Sequence, residues 1–212
     1  MTAGPSSACG PRSASPRLVL ASASRTRQRL LSDAGLAYDA APADVDEAAV
    51  RIAMRAASRS AEEVATALAE AKAAAVAGVH PDALVVGADQ MLECDGQWFE
   101  KPADLAEAER NLRILRGRRH RLVSAVAVAL EGRCAWTHVD VAVMSMRAFS
   151  DDVLADYLDR AGAAALDTVA GYRFEGPGIQ LFDAVEGDMF TILGLPLLPL
   201  LACLRRCGAV AD

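Results

Sequence analysis

Short apolar runs alternate with helix-like segments along this chain. Leu18-Val19-Leu20-Ala21 reads as a buried strand. Ser22-Ala23-Ser24 follows as a small-residue turn, then a helix from about Arg25 to Ala34 that Gly35 closes, with Ser24 as its N-cap. Residues 39–47 are polar and contain proline, so they read as a loop ending in the acidic pair Asp46-Glu47. Ser60-Ala61-Glu62-Glu63 is a capping box that opens a long alanine-rich helix, ended by Gly78 and Pro81. The run Leu84 to Ala88 reads as a buried strand that delivers Asp89 to its exit, followed by Gln90. A turn at Asp95-Gly96 then predicts a hairpin that carries Lys101 back beside Asp89. Further on, the pattern predicts a helix from Asp104 to about Leu115 and core strands over 121–130 and 135–146. Ser150 caps a helix to about Arg160, Thr168 to Phe182 reads as strand-like but interrupted by Gly176-Pro177-Gly178, and a last helix covers about 197–206. Strands alternating with helices, plus hairpins, predict the α/β class with a mixed sheet.

Some of these placements carry chemistry. In open α/β sheets ligands bind beyond the carboxyl ends of the strands. A carboxylate at that point, Asp89, can bind a metal, take a proton from water, or simply cap the next turn. The turn before the first helix is a natural anion site, because free backbone N–H groups and the helix dipole favour phosphate, and Arg25 and Arg27 add charge. An ordinary turn followed by a solvated basic helix has the same appearance. Val64, Leu68 and Lys72 recur at four-residue spacing, which places Lys72 near the apolar stripe of its helix. A cation there snorkels outward or reaches into a cleft.

Composition sharpens the lysines. Of 22 Lys plus Arg, only Lys72 and Lys101 are lysines. A coding bias towards arginine explains most of that ratio but not where the two lysines stand. Lysine is a compact point charge suited to phosphate oxygens, whereas arginine is a planar fork. The net charge of −6 and pI of about 5.1 argue against general nucleic-acid binding. Five cysteines without CxxC spacing, and three histidines without ligand spacing, argue against a disulfide framework or a zinc site and fit a reducing cytoplasm. Residues 1–16, rich in Ser, Pro, Ala and Gly, read as a disordered tail, and no run is long enough to span a bilayer. Residues 17–207 then form one domain.

Several segments, in order, resemble the Maf-like nucleoside triphosphate pyrophosphatases. They are Leu20-Ala21-Ser22-Ala23-Ser24-Arg25-Thr26-Arg27, Asp46-Glu47, Ala69-Glu70-Ala71-Lys72-Ala73, Gly87-Ala88-Asp89-Gln90, and Asp95-Gly96 through Lys101-Pro102. Gly117 to His120, Gly171 to Gly176, and Gly187-Asp188 through Gly194-Leu195-Pro196 complete the order. The resemblance implies a mixed twisted sheet flanked by helices, with two lobes around a nucleotide cleft. It also implies hydrolysis of a nucleoside triphosphate to the monophosphate and pyrophosphate with a divalent cation, Mg²⁺ or Mn²⁺. Asp89 takes the place of the catalytic base. Ser24, Arg27, Lys72 and Lys101 fall on the substrate, and Glu47 joins Asp89 on the metal. Thr26, Gln90 and Glu175 fall at the base, where Gln90 with Glu175 is similar to the branch acting on 7-methyl-GTP. A pyrimidine or deaminated-purine triphosphate is the alternative substrate, and a nucleotide-binding regulator of cell division with little turnover is the alternative role. A homodimer is the candidate assembly.

Overall fold

A computed structural model describes residues 16–211. The expected tail over residues 1–16 lies, apart from Pro16, outside the described residues. Strand β1 (Arg17–Leu20) leads through Ser24, whose hydroxyl accepts from the Arg27 N–H, into α1 (Arg25–Asp33). After β2 (Asp39–Ala40) come α2 (Glu47–Ala56) and α3 (Ala61–Ala77). The capping box at Ser60 is complete, with both Ser60 and Glu63 side chains bonded to the opposite backbone N–H. Next follow β3 (Ala83–Cys94), β4 (Gln97–Phe99), α4 (Leu105–Leu115), β5 (Arg119–Leu130) and β6 (Arg133–Met146). The chain closes with α5 (Asp151–Ala161), β7 (Phe182–Glu186), α6 (Met189–Ile192) and α7 (Leu197–Arg206).

One mixed sheet runs β2-β1-β3-β5-β6-β7. β1 is parallel to β2 and to β3, while β3, β5, β6 and β7 pair antiparallel in turn. β4 folds back on β3 through the Asp95-Gly96 turn, with Leu92 opposite Phe99. Period-two alternation sorts the side chains. Val85 and Met91 of β3 join Val123, Ala125 and Ala127 of β5 under Val64, Leu68 and Ala69 of α3. On the other face, Leu84 and Val86 pack with Leu30, Leu31, Leu200 and Leu204 of α1 and α7. Leu92, Leu112, Met144, Tyr157 and Tyr172 form a separate cluster.

Three expectations need correction. Asp89 is not at a strand exit: β3 continues to Cys94, so Asp89 is mid-strand. The apolar run ends at Asp89 because the carboxylate faces a helix cation rather than because the strand stops. The acidic pair is not loop. Asp46 accepts from the Ala49 N–H as the N-cap of α2, and Glu47 is that helix's first residue. Residues 168–181 are not strand either, and β7 begins only at Phe182. They form short 3₁₀ turns, with Ala170 and Gly171 at φ +59° and +94°, a conformation incompatible with an extended ladder.

Candidate active site

The site lies at an interruption in the sheet. β1 pairs with β3 only as far as Leu20 opposite Val86, and β4 begins only at Leu92. Between them, no described strand covers the edge of β3 at residues 87–91. The far edge is fully paired, with Asp89 opposite Ala125 and Gln90 opposite Ser124. Arg27 fills part of the gap. Its Nη1 donates to the Ala88 carbonyl at 2.8 Å and its Nε to the Gly194 carbonyl at 2.8 Å. Burial lowers the Arg27 pKa, while the charges of Asp89 and Glu47 act in the opposite direction.

Asp89 points to the α3 face. Lys72 Nζ lies 2.6 Å from Asp89 Oδ1 and 2.7 Å from Glu47 Oε1. Arg51, one turn along α2, donates to Glu47 Oε2 at 2.8 Å and stands 3.8 Å from Asp89 Oδ2. Two cations and two carboxylates therefore neutralise one another. Burial opposes ionisation of Glu47, but its bonds to Lys72 and Arg51 outweigh that and hold its carboxyl below the ordinary range. Asp89 Oδ2, by contrast, is buried with no hydrogen-bond partner.

Gly87 permits this geometry. A Cβ there would overlap the Ala69 carbonyl oxygen and come within 2.6 Å of the Ala73 nitrogen. Only a glycine lets α3 sit close enough for Lys72 to reach across to Asp89.

Gln90 points to the opposite face. Its Nε2 donates to Ser124 Oγ at 3.0 Å, to the Thr191 carbonyl at 3.1 Å and to the Ile192 carbonyl at 3.0 Å. The Ser124 hydroxyl donates to the Thr191 carbonyl at 2.7 Å, which leaves its oxygen as an acceptor. Three acceptors around Nε2 fix the amide orientation and leave Oε1 for the pocket. That pocket is lined by Ser24, Thr26, Arg27, Gln90, Lys101 and Glu175, with Tyr172 and Phe174 as aromatic wall.

The expected residues thus fall into two groups. Glu47 and Asp89 are both bonded to Lys72, whereas Ser24, Thr26, Arg27, Gln90, Lys101 and Glu175 share the pocket. Lys101 is exposed and reaches the pocket rather than bonding Asp89. Arg51, Ser124 and the Thr191 carbonyl were not foreseen. The Glu47/Arg51 spacing of four was the available clue to Arg51.

The sequence pattern of Maf-like proteins matches residues 17–207. The chain belongs to the Maf-like family. It is similar to the nucleoside triphosphate pyrophosphatase of Granulibacter bethesdensis, 50% identical over 194 residues covering 92% of this chain and 98% of that protein. The protein of the same name in Paramagnetospirillum magneticum is 51% identical over 190 residues, covering 90% and 98%. The 7-methyl-GTP pyrophosphatase of Rhizobium etli is 44% identical over 195 residues, covering 92% and 98%. Both groups of relatives lie at comparable distance, so the percentages do not separate the two names.

Proposed function

We propose that this protein is an enzyme that hydrolyses a nucleoside triphosphate to the monophosphate and pyrophosphate, with a guanine-type base preferred. The observation that carries the reading is Asp89 Oδ2: a buried carboxylate oxygen without a donor, beside a lysine and an arginine. Such an atom accepts a proton from water. The water oxygen attacks the α-phosphorus, the bond from that phosphorus to the αβ-bridging oxygen breaks, and pyrophosphate leaves with the electron pair. Lys72 and Arg51 turn from the carboxylates to the phosphate oxygens as the nucleotide arrives. Lys101 and the anion-binding start of α1 hold the rest of the chain of phosphates.

The residues present fit a divalent cation. Among the described residues no three His, Cys, Asp or Glu side chains gather into a cage. Two hard carboxylates with one free oxygen suit Mg²⁺ or Mn²⁺, which retain waters and take phosphate oxygens. Glu47 and Asp89 would hold the ion, which when bound offsets the phosphate charge. Lys72 must first release both carboxylates, so ion and nucleotide bind together better than either binds alone.

The interrupted sheet edge gives the nucleotide its path. Asp89 and Gln90, adjacent on β3, face opposite sides, so the phosphates lie on the α3 side and the base lies against Gln90. Gln90 Oε1 and the Glu175 carboxylate are both acceptors. Guanine offers N1–H and N2–H₂ to them, whereas thymine and uracil place one N–H between two carbonyls. Mismatched bases leave these acceptors unpaired and are disfavoured. The setting is the cytoplasm, and no described helix is long and apolar enough to cross a membrane.

The test is pyrophosphate release from 7-methyl-GTP, GTP, dTTP, UTP and CTP with Mg²⁺ and Mn²⁺. Release with the two guanine nucleotides ahead is expected. Preference for dTTP or UTP would overturn the base assignment, and no release from any nucleotide would overturn the activity.

A further inference from the structure

Glu175, which lines the base pocket, is paired with an arginine just outside that lining. Arg173 Nε and Nη2 contact Glu175 Oε1 at 3.4 and 3.2 Å. The backbone that carries the pair is held from three sides. The Arg173 N–H donates to Tyr157 Oη at 3.1 Å, and the Tyr157 hydroxyl donates to the Gly171 carbonyl at 3.0 Å. The Ala170 N–H donates to the Glu100 carbonyl at 3.0 Å, next to Lys101. Gly178 packs so closely on the Arg173 carbonyl that a Cβ would overlap it. The Glu175 side chain is 21% exposed and that of Arg173 41%. The pairing is thus built on a fixed loop at the rim of the pocket.

Guanine and an N7-alkylated guanine offer the same N1–H and N2–H₂ donors, but the alkylated ring is cationic. Hydrogen bonding to Glu175 cannot separate them, so what Glu175 can sense is the charge. A bare carboxylate would favour the cation. Glu175 is not bare. The charged side chains lining the pocket are Arg27, Lys101, Asp167 and Glu175, which sum to zero. Arg173 adds a positive charge directly on Glu175.

We propose that Arg173 is a specificity-determining residue: by pairing with Glu175 it removes the advantage that a cationic guanine would otherwise have over a neutral one. This rests on the pocket being the base site. It acts through Glu175 and touches no reacting atom, so Arg173 is a positioning residue.

The test compares the wild type with Arg173→Gln. Titration calorimetry with 7-methyl-GMP and GMP gives the binding ratio, and kcat/KM for 7-methyl-GTP and GTP gives the turnover ratio. Both ratios should rise three- to fivefold in the variant, about the scale of a half-exposed charge pair. The change should appear in KM more than in kcat and should shrink at high salt. Arg173→Lys should keep the wild-type ratio, and Glu175→Gln in the Arg173→Gln background should cancel the gain. A ratio within twofold of wild type, or equal losses for both nucleotides, would overturn the proposal while leaving the pyrophosphatase reading intact. Absence of pyrophosphate release would overturn the activity alone, because the monophosphate titration still decides the role of Arg173. Failure of both monophosphates to bind would overturn the role of Arg173 together with the base site.

Discussion

Lys72 Nζ lies 2.6 Å from Asp89 Oδ1, joining the middle of a long helix to the middle of the central strand. Both side chains are nearly buried, at 10% and 4% exposure. A buried pair of this kind is weak support for stability, since desolvation offsets much of the attraction. Its value is elsewhere. Before ligands bind, the bond engages one oxygen of Asp89 and leaves the other without a donor.

Asp89→Asn should therefore abolish most turnover without loss of the fold. The amide keeps the shape but cannot take a proton through the free atom. Loss of a general base costs about 10²–10⁴-fold in kcat. Pyrophosphate release gives the rate, and nucleotide titration should show affinity largely kept. Near-normal rates would remove Asp89 from the chemistry.

Lys72→Ala should be destabilised, because Asp89 and Glu47 would then face each other without the cation bonded to both. Breaking a buried pair costs about 3 kcal/mol or more. The same change opens the carboxylates to a cation. Mn²⁺ should raise the melting temperature of Lys72→Ala more than that of the wild type, whose lysine occupies the position between them. An equal or smaller Mn²⁺ effect would mean that Glu47 and Asp89 do not form the ion site. Lys72→Arg should not restore kcat/KM, since a planar fork replaces a point charge.

Gly87→Ala tests the close approach behind this geometry. The added methyl would overlap the Ala69 carbonyl, and backbone cannot swing away as a flexible side chain can. Overpacking of this kind costs about 1–3 kcal/mol. Displacement of α3 also draws Lys72 from Asp89, so activity should fall further than the stability loss alone accounts for. Melting temperature and kcat measured on one preparation decide it. A variant with unchanged stability would show that the helix shifts freely.

How much of this was legible in the chain depends on the range of the interaction. Ser24, Ser60, Asp104 and Ser150 cap helices as their local spacing indicates, because capping is settled within four residues. The Asp95-Gly96 hairpin was legible for the same reason. Asp89 was recognised as chemically important but set at a strand end, since a carboxylate in a buried run looks like a stop unless its cation is known. That cation comes from α3, 17 residues earlier in the chain. The helix from Glu47 was missed because the segment before it is polar and contains proline, and its helical face has no buried residue. Arg51 was lost with it. The stretch 168–181 has strand-like composition, yet the positive φ at Ala170 and the clamp from Tyr157 impose turns.

His120 makes the last prediction, about pH. It sits under the aromatic wall of the pocket, 2% exposed, with Nε2 2.8 Å from Tyr172 Oη and its ring tilted against Tyr172 and Phe182. Burial pushes its pKa down from 6.5 to about 4, and no carboxylate is bonded to it to offset that. Burial also holds the Tyr172 phenol well above its ordinary value, so the pair stays neutral. In the unfolded chain the histidine takes up a proton near pH 6.5, whereas in the folded protein it does so only near pH 4. Stability is therefore undiminished above pH 6.5, falls as the pH drops from 6.5 towards 4, and levels off below that as far as this group is concerned. Over that window the loss is about 3 kcal/mol. His120→Gln retains a polar partner for Tyr172 but does not titrate, so its denaturation midpoint should vary much less between pH 6.5 and 4. Glu47 and the other carboxylates held below their ordinary range keep their contribution above the ordinary value of 4.5 and lose it as the pH falls below that, so His120 is read cleanly over the upper part of the window. Parallel pH profiles for the wild type and His120→Gln would mean that His120 is not the group responsible.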